Sequence, residues 1–219
     1  MRHDTSRKDR SRPVFARYYA AMAPRMDSVG LGRLRDELLS GLAGEVLEVG
    51  CGNGMNFARY PGTVTSVRAV EPEPHLRRLA RAAARSEVPI EVVAGTGEAV
   101  PLPDNSVDAA VLCLVLCSVP DPVATVGELA RVIRPGGALV FLEHCAADTS
   151  KLRRVQKFAD ATIWPMLAGG CHLSRDPLAT IEGGRFSIDS VRRFRFPQGS
   201  NASPASPHVL GRARLRSNG

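Results

Sequence analysis

The chain has 219 residues, 44% of them hydrophobic, with a formal net charge of +7. That length suits one α/β domain with a full core, and that hydrophobic content excludes a disordered chain. No run of about eighteen apolar residues exists to cross a membrane, and positions 1–12 lack the apolar stretch of a secretory signal.

The first twelve residues read as a basic, flexible tail, followed by a single domain over 13–219. Pro13 opens a short helix over 13–26 carrying Phe15, Tyr18, Tyr19 and Met22, and a second helical stretch covers 31–42. Strands are predicted at 45–49 and 64–70, the second ending at Glu71. The next helix places Leu76, Leu79, Ala80 and Ala83 on one face. A third strand follows at 89–94, and the apolar run 107–116 reads as a fully buried parallel strand. Asp121-Pro122 is an N-cap followed by a proline at the first helical position. That helix runs to about 133, and Arg134-Pro135-Gly136-Gly137 turns into a fifth strand at 138–143. Leu152, Val155, Ala159 and Thr162 then give a helix that Pro165 ends. Two late strands, 186–196 and 209–215, close the chain, separated by a Ser/Pro/Asn-rich loop. Strand alternating with helix implies a doubly wound, mostly parallel sheet.

Five cysteines, an odd number without C-x-x-C spacing, read against a disulfide framework or a metal site and for a reducing cytoplasm. They are expected to be small packing residues. Positive charge crowds both ends: Arg2, Arg7, Lys8, Arg10, Arg12 and Arg17, then Arg212, Arg214 and Arg216. Such charge could mark a nucleic acid, an anionic membrane or simply a solvated tail. No aromatic residues interleave with it to stack bases, so no nucleic acid is expected, and without an apolar run no integral membrane association is expected.

The most specific segment is 46–54, VLEVGCGNG. It reads as a buried strand running into a turn whose glycines Gly50, Gly52 and Gly54 bring backbone N–H groups close to a ligand. Glu48 in the strand would repel a pyrophosphate and welcome an amino-acid head with a sulfonium centre. The dinucleotide fingerprint G-x-G-x-x-G fails at Met55. Ligands of open α/β sheets sit at the carboxyl ends of the strands. Cys51, Asn53 and Asn56 flank the glycine turn. Glu71 with Pro72 is placed for ribose hydroxyls, Gly97 and Glu98 for an adenine, and Cys113-Leu114 for the ligand's other side.

The pattern E-x-G-x-G-x-G resembles the first motif of class I methyltransferases. With PLPDNSVD at 101–108 and LARVIRPGG at 129–137, it is similar to the group that includes quinone and phospholipid methyltransferases, many of which have two histidines where Cys117-Ser118 stand here. LVLCSV at 114–119, Glu143-His144, Trp164-Pro165, GCHLSR at 170–175 and PHVLG at 207–211 resemble the methyltransferase-like thiol methyltransferases of animals, in order and spacing from about residue 45 to the end. A basic, polar segment stands where those have a hydrophobic N-terminal anchor.

The resemblance implies a Rossmann-like, seven-stranded, mostly parallel sheet with a C-terminal antiparallel strand and helices on both faces. It further implies lid helices over 13–42, a cofactor-binding core over 45–143, a substrate lid over 144–176 and closing strands over 185–217. The implied cofactor is S-adenosylmethionine, the product S-adenosylhomocysteine, and the partner a small-molecule methyl acceptor. A small thiol is the expected acceptor, and the bacterial-looking composition extends this to thiol-bearing natural products. O- or N-methylation of a quinone, phospholipid or other small molecule is the alternative, and a non-catalytic cofactor binder a second. His144 could deprotonate or orient a thiol. His172 and Arg175, in a loop over the sheet's top, could touch it too, although Arg175 could equally pair with Asp176 or cap a carbonyl. Cys117, Trp164 and His208 are placed for substrate contact, and Tyr19 for closing over the cofactor. No metal is called for, and the oligomeric state is left open.

Overall fold

The computed structural model describes residues 12–197 and 203–216. The expected basic tail therefore lies outside the described residues, Arg12 excepted. One seven-stranded sheet organises the chain: β1 (Gly44–Val49), β2 (Val64–Val70), β3 (Ile90–Val93), β4 (Val107–Cys113), β5 (Ile133–His144), β6 (Phe186–Arg195) and β7 (Pro207–Leu215). Their order is β3-β2-β1-β4-β5-β7-β6. β1 to β5 run parallel, and β7 lies antiparallel between β5 and β6. The helices are α1 (Pro13–Met26), α2 (Gly32–Leu39), α3 (Pro74–Ala83), α4 (Pro122–Val132), α5 (Ser150–Asp160), α6 (Trp164–Leu167) and α7 (Pro177–Gly183).

Strand alternation divides the core in two. Leu47 and Val49 of β1, with Ala110 and Leu112 of β4, pack with Val126 and Leu129 of α4 and Ile181 of α7. Val46 of β1, with Ala109 and Val111 of β4, packs with Leu38 and Leu39 of α2 and Ala80 of α3. The central strand β4 is almost wholly apolar and buried because helices cover both of its faces, whereas the edge strand β6 is mostly exposed. Asp121 caps α4 through Ala124 N at 2.9 Å.

Four elements depart from the sequence reading. β4 stops at Cys113, short of the expected 116, because Leu114 adopts φ +61° and turns the chain. β5 starts at Ile133, with the register jumping from Val107↔Ile133 to Ala109↔Ala138, so the Pro-Gly-Gly turn is a bulge inside a longer strand. α7 was not anticipated, although it has the same Asp-Pro start as α4: Asp176 accepts from Leu178 N and Ala179 N.

In α5 the expected apolar face is not the buried one. Val155 is 46% and Phe158 72% exposed, whereas Gln156 is fully buried. Its amide accepts from Ala147 N at 2.7 Å and donates to Cys145 O and Pro204 O. Gln156→Ala would leave these three backbone groups unpaired, and is expected to lower stability by about 2–3 kcal/mol in urea unfolding. A loss under about 0.5 kcal/mol would show that water replaces the amide.

Among the described residues, no helix is long and apolar enough to cross a membrane.

Candidate active site

A cavity of about 190 Å³ opens at the carboxyl ends of β1, β2 and β4, roofed by α1. The glycine turn forms its floor. Gly50 and Gly52 have φ of +67° and +56°. A Cβ on Gly50 would stand 2.9 Å from Val115 Cγ2, and one on Gly52 3.0 Å from Tyr19 Cε1. Both positions thus need glycine for conformation and for close approach.

Glu71 closes β2 and is 5% exposed. Its carboxylate accepts from Gly52 N at 2.8 Å and Glu73 N at 2.9 Å, tying the end of β2 to the glycine turn. Burial pushes its carboxyl up to about 7, against the pull of those two N–H groups.

The structure brings nine of the expected cofactor residues to this cavity: Tyr19, Gly50, Gly52, Glu71, Pro72, Gly97, Glu98, Cys113 and Leu114. Glu48, Cys51, Asn53, Gly54 and Asn56 do not line it. Alternation in β1 puts Glu48 on the face of Val46, where it is 2% exposed. There its carboxylate accepts from Asn56 Nδ2 at 2.8 Å and Tyr60 OH at 2.7 Å. Arg35 continues the network, donating to Asn56 Oδ1, Asp27 Oδ1 and Cys113 Sγ. A buried ionic lattice thus supports the turn from beneath. Phe15, Ser118 and Val119 also line the cavity and carry no sequence signature of it.

A second cavity of about 130 Å³ adjoins the first, with His144 and His208 on its wall. Leu114, in its left-handed conformation, lines both. A branched residue held at positive φ stores strain, which persists where the surroundings over-determine it. Glu143 supplies part of that determination. Fully buried, it accepts from Val115 N at 2.8 Å, Leu116 N at 3.0 Å and Cys117 N at 3.4 Å. Burial lifts its carboxyl to about 7 as well.

The His144 and His208 rings pack tilted at 45°, with centroids 4.4 Å apart. His208 Nδ1 donates to Ser206 O at 2.8 Å, and burial, with His144 beside it, holds it down to about 3, so it stays neutral. His144 also approaches Cys171 Sγ at 3.7 Å, and Cys117 completes a buried cluster. The Cys171 thiolate is favoured by hydrogen bonding from Cys117, and by His144 and Trp164, while Cys117 keeps its proton.

His172 and Arg175 line neither cavity. The His172 ring bonds Gly170 O, and its backbone N–H bonds Cys117 O. Arg175 caps two carbonyls, Leu116 O at 2.7 Å and Val119 O at 2.6 Å, and so braces the turn after β4. Trp164 packs against Cys117, Cys171 and Leu173 instead of walling the pocket.

The strand order, the glycine turn and the strand-end acid together define a class I S-adenosylmethionine-dependent methyltransferase. A methyltransferase-domain family model matches residues 47–141. The human thiol S-methyltransferase TMT1B is 33% identical over 80% of this chain and 73% of its own length. Human TMT1A is 34% identical over 77% and 69%. The N-methyltransferase NodS of Bradyrhizobium japonicum, solved with S-adenosylhomocysteine, shares the fold at TM-score 0.63 and 16% identity, covering 89% of this chain and 87% of that one. The chain belongs to the methyltransferase family of TMT1A and TMT1B, and its cofactor is S-adenosylmethionine.

The residues fit that cofactor. The glycine cradle would be filled by any Cβ, and Glu71 is a strand-end acceptor on the cavity wall. Only the carboxylate form of Glu71 would be free to accept from both hydroxyls of a bound ribose. Since its carboxyl titrates near 7 in the free protein, cofactor affinity is expected to fall as pH drops below about 7. The fall approaches tenfold per pH unit, with proton release on binding below about pH 7. Calorimetry in buffers of different ionisation enthalpy reads this directly. Affinity that is flat between pH 5.5 and 8 would remove Glu71 from the ligand.

Proposed function

We propose that the chain transfers a methyl group to the sulfur of a small-molecule thiol. The carrying observation is the junction at Leu114, where a cavity suited to the cofactor meets a second one walled by His144 and His208. The relatives named thiol S-methyltransferase support the choice of sulfur. The second cavity's size favours a small acceptor.

Bound in the larger cavity, S-adenosylmethionine would supply an electrophilic sulfonium methyl for the acceptor sulfur to take up. Gly50, Gly52 and Glu71 hold it from below, and Phe15 and Tyr19 of α1 cover it. The helices over 13–42 and the segment 144–176 serve as lids that exclude water. Such a transfer needs orientation above all. A free thiol ionises near pH ~8.5, so a modest fraction is already thiolate at neutrality. His144 receives or directs the remaining proton, while the neutral His208 ring packs against it at a tilt. Five free cysteines favour a reducing cytoplasm. Neither a nucleic acid nor an integral membrane partner enters this reading.

His144→Ala is expected to lower kcat/KM for thiols about 100-fold, and His172→Ala to lower it far less. The reading itself is tested by S-adenosylhomocysteine release against small thiols with matched phenols and amines. Release with thiols alone is expected. Release with phenols or amines alone would move the acceptor to oxygen or nitrogen.

A further inference from the structure

We propose that Cys117, His144 and Cys171 form a metal site beside the acceptor cavity. It would hold one thiophilic divalent cation of the zinc class and leave a fourth position open for a thiolate. The three residues come from separate places: the turn after β4, the last residue of β5 and the segment after α6. Their ligand atoms all lie within 4.8 Å of one another, with Cys171 Sγ 3.7 Å from His144 Nδ1. Around tetrahedral zinc, with Zn–S of about 2.3 Å and Zn–N of about 2.0–2.1 Å, sulfur and nitrogen ligands stand about 3.5 Å apart and two sulfurs about 3.8 Å. The Cys171–His144 pair already has nearly that spacing, and side-chain shifts of about 1 Å or less bring Cys117 to it.

The surroundings hold the ligands in place. His172 N donates to Cys117 O at 2.7 Å, and Cys171 N to Ala168 O at 3.1 Å. Glu143 accepts from Cys117 N, and Arg175 grips the carbonyls of Leu116 and Val119 on either side of Cys117. Cys117 and Cys171 are buried and pack on Leu173, which is fully buried. Outer-shell support of this kind is what fixes metal ligands in position.

Two sulfurs and an imidazole select zinc over magnesium or calcium, which prefer oxygen. Three protein ligands leave one tetrahedral position open, the arrangement of catalytic rather than closed structural sites. His144 lines the second cavity, and Ala205 lines it too while packing on the cluster of Cys117, Cys171 and Leu173, so the open position is assigned to that cavity. On binding, any thiol proton still held by the two cysteines leaves to solvent. An acceptor thiol entering the fourth position loses its proton likewise and is held as a thiolate, with His144 then acting through the cation. This last step rests on the thiol reading given above; the metal site does not.

The test uses the full chain, reduced and stripped of metal, without cofactor or turnover. Equilibrium dialysis is expected to show one zinc per chain. Cobalt is expected to give a sulfur-to-metal charge-transfer band that grows when a small thiol is added. Cys117→Ser and Cys171→Ser are each expected to weaken zinc more than about 100-fold, with S-adenosylmethionine binding confirming that the variants fold. The site is overturned if the reduced wild-type chain retains no zinc, if the double serine variant retains it equally, or if the two sulfurs join as a disulfide in its place. A cobalt spectrum indifferent to thiol overturns the open position. Because zinc is read without turnover, failure here leaves thiol methylation standing, and failure of thiol methylation leaves the zinc count standing.

Discussion

Glu71→Ala is expected to weaken S-adenosylmethionine binding about 100-fold in calorimetry. A charged acceptor contributes about 1.5–3 kcal/mol per hydrogen bond, and two ribose hydroxyls would lose theirs, so about 3 kcal/mol is a restrained figure. The substitution also frees Gly52 N and Glu73 N, so the glycine turn loses its link to β2. Glu71→Gln keeps one acceptor oxygen and is expected to lose less. Glu91→Gln, an exposed acid on β3 paired with Arg68, serves as the control with no effect. If Glu71→Ala bound the cofactor within about threefold of wild type, the ligand would have to sit elsewhere along the strand ends.

The second large effect is expected at Glu143. Alanine there leaves Val115 N and Leu116 N buried without a partner and Cys117 N without its weaker one. Unpaired buried donors cost about 1–3 kcal/mol each, so a stability loss of about 3 kcal/mol is expected in chemical unfolding. Cofactor affinity should fall with it, because Leu114, Val115 and Ser118 of the same turn line the cavity. Glu143→Gln retains one oxygen for Val115 and Leu116 and should lose less. Equal losses for the two variants would show that size, not acceptance, is what Glu143 contributes. The pH dependence has a definite sign. Burial raises both Glu71 and Glu143 from 4.5 to about 7, so between those values the folded chain binds more protons than the unfolded one. These two acids therefore lower the stability of the cofactor-free protein as pH rises through that window.

The parts of this fold legible in the sequence are those set by local chemistry. Apolar runs gave strands, Asp121-Pro122 gave the start of α4, and Glu71 followed from its place at a strand end. What stayed hidden was long-range or polar. Glu48 was read by its charge, but strand alternation carries it beneath the turn to Asn56 and Tyr60. Glu143 binds backbone groups 26 to 28 residues away, and no local pattern announces that. In α5, counting apolar residues selected Val155, whereas the fold buries Gln156 to satisfy loop carbonyls and an N–H. The convergence of Cys117, His144 and Cys171 is hidden for the same reason, since they come from three separate segments. Arg175 caps two carbonyls, one of the alternatives its position in the sequence leaves open.

The most direct measurement is a crystal structure of the chain with S-adenosylhomocysteine bound. The account expects the ribose hydroxyls on the Glu71 carboxylate, the ligand against Gly50 and Gly52, and its sulfur facing Leu114 and the cavity of His144. A ligand bound away from Glu71, or with its sulfur turned from Leu114 and His144, would contradict it.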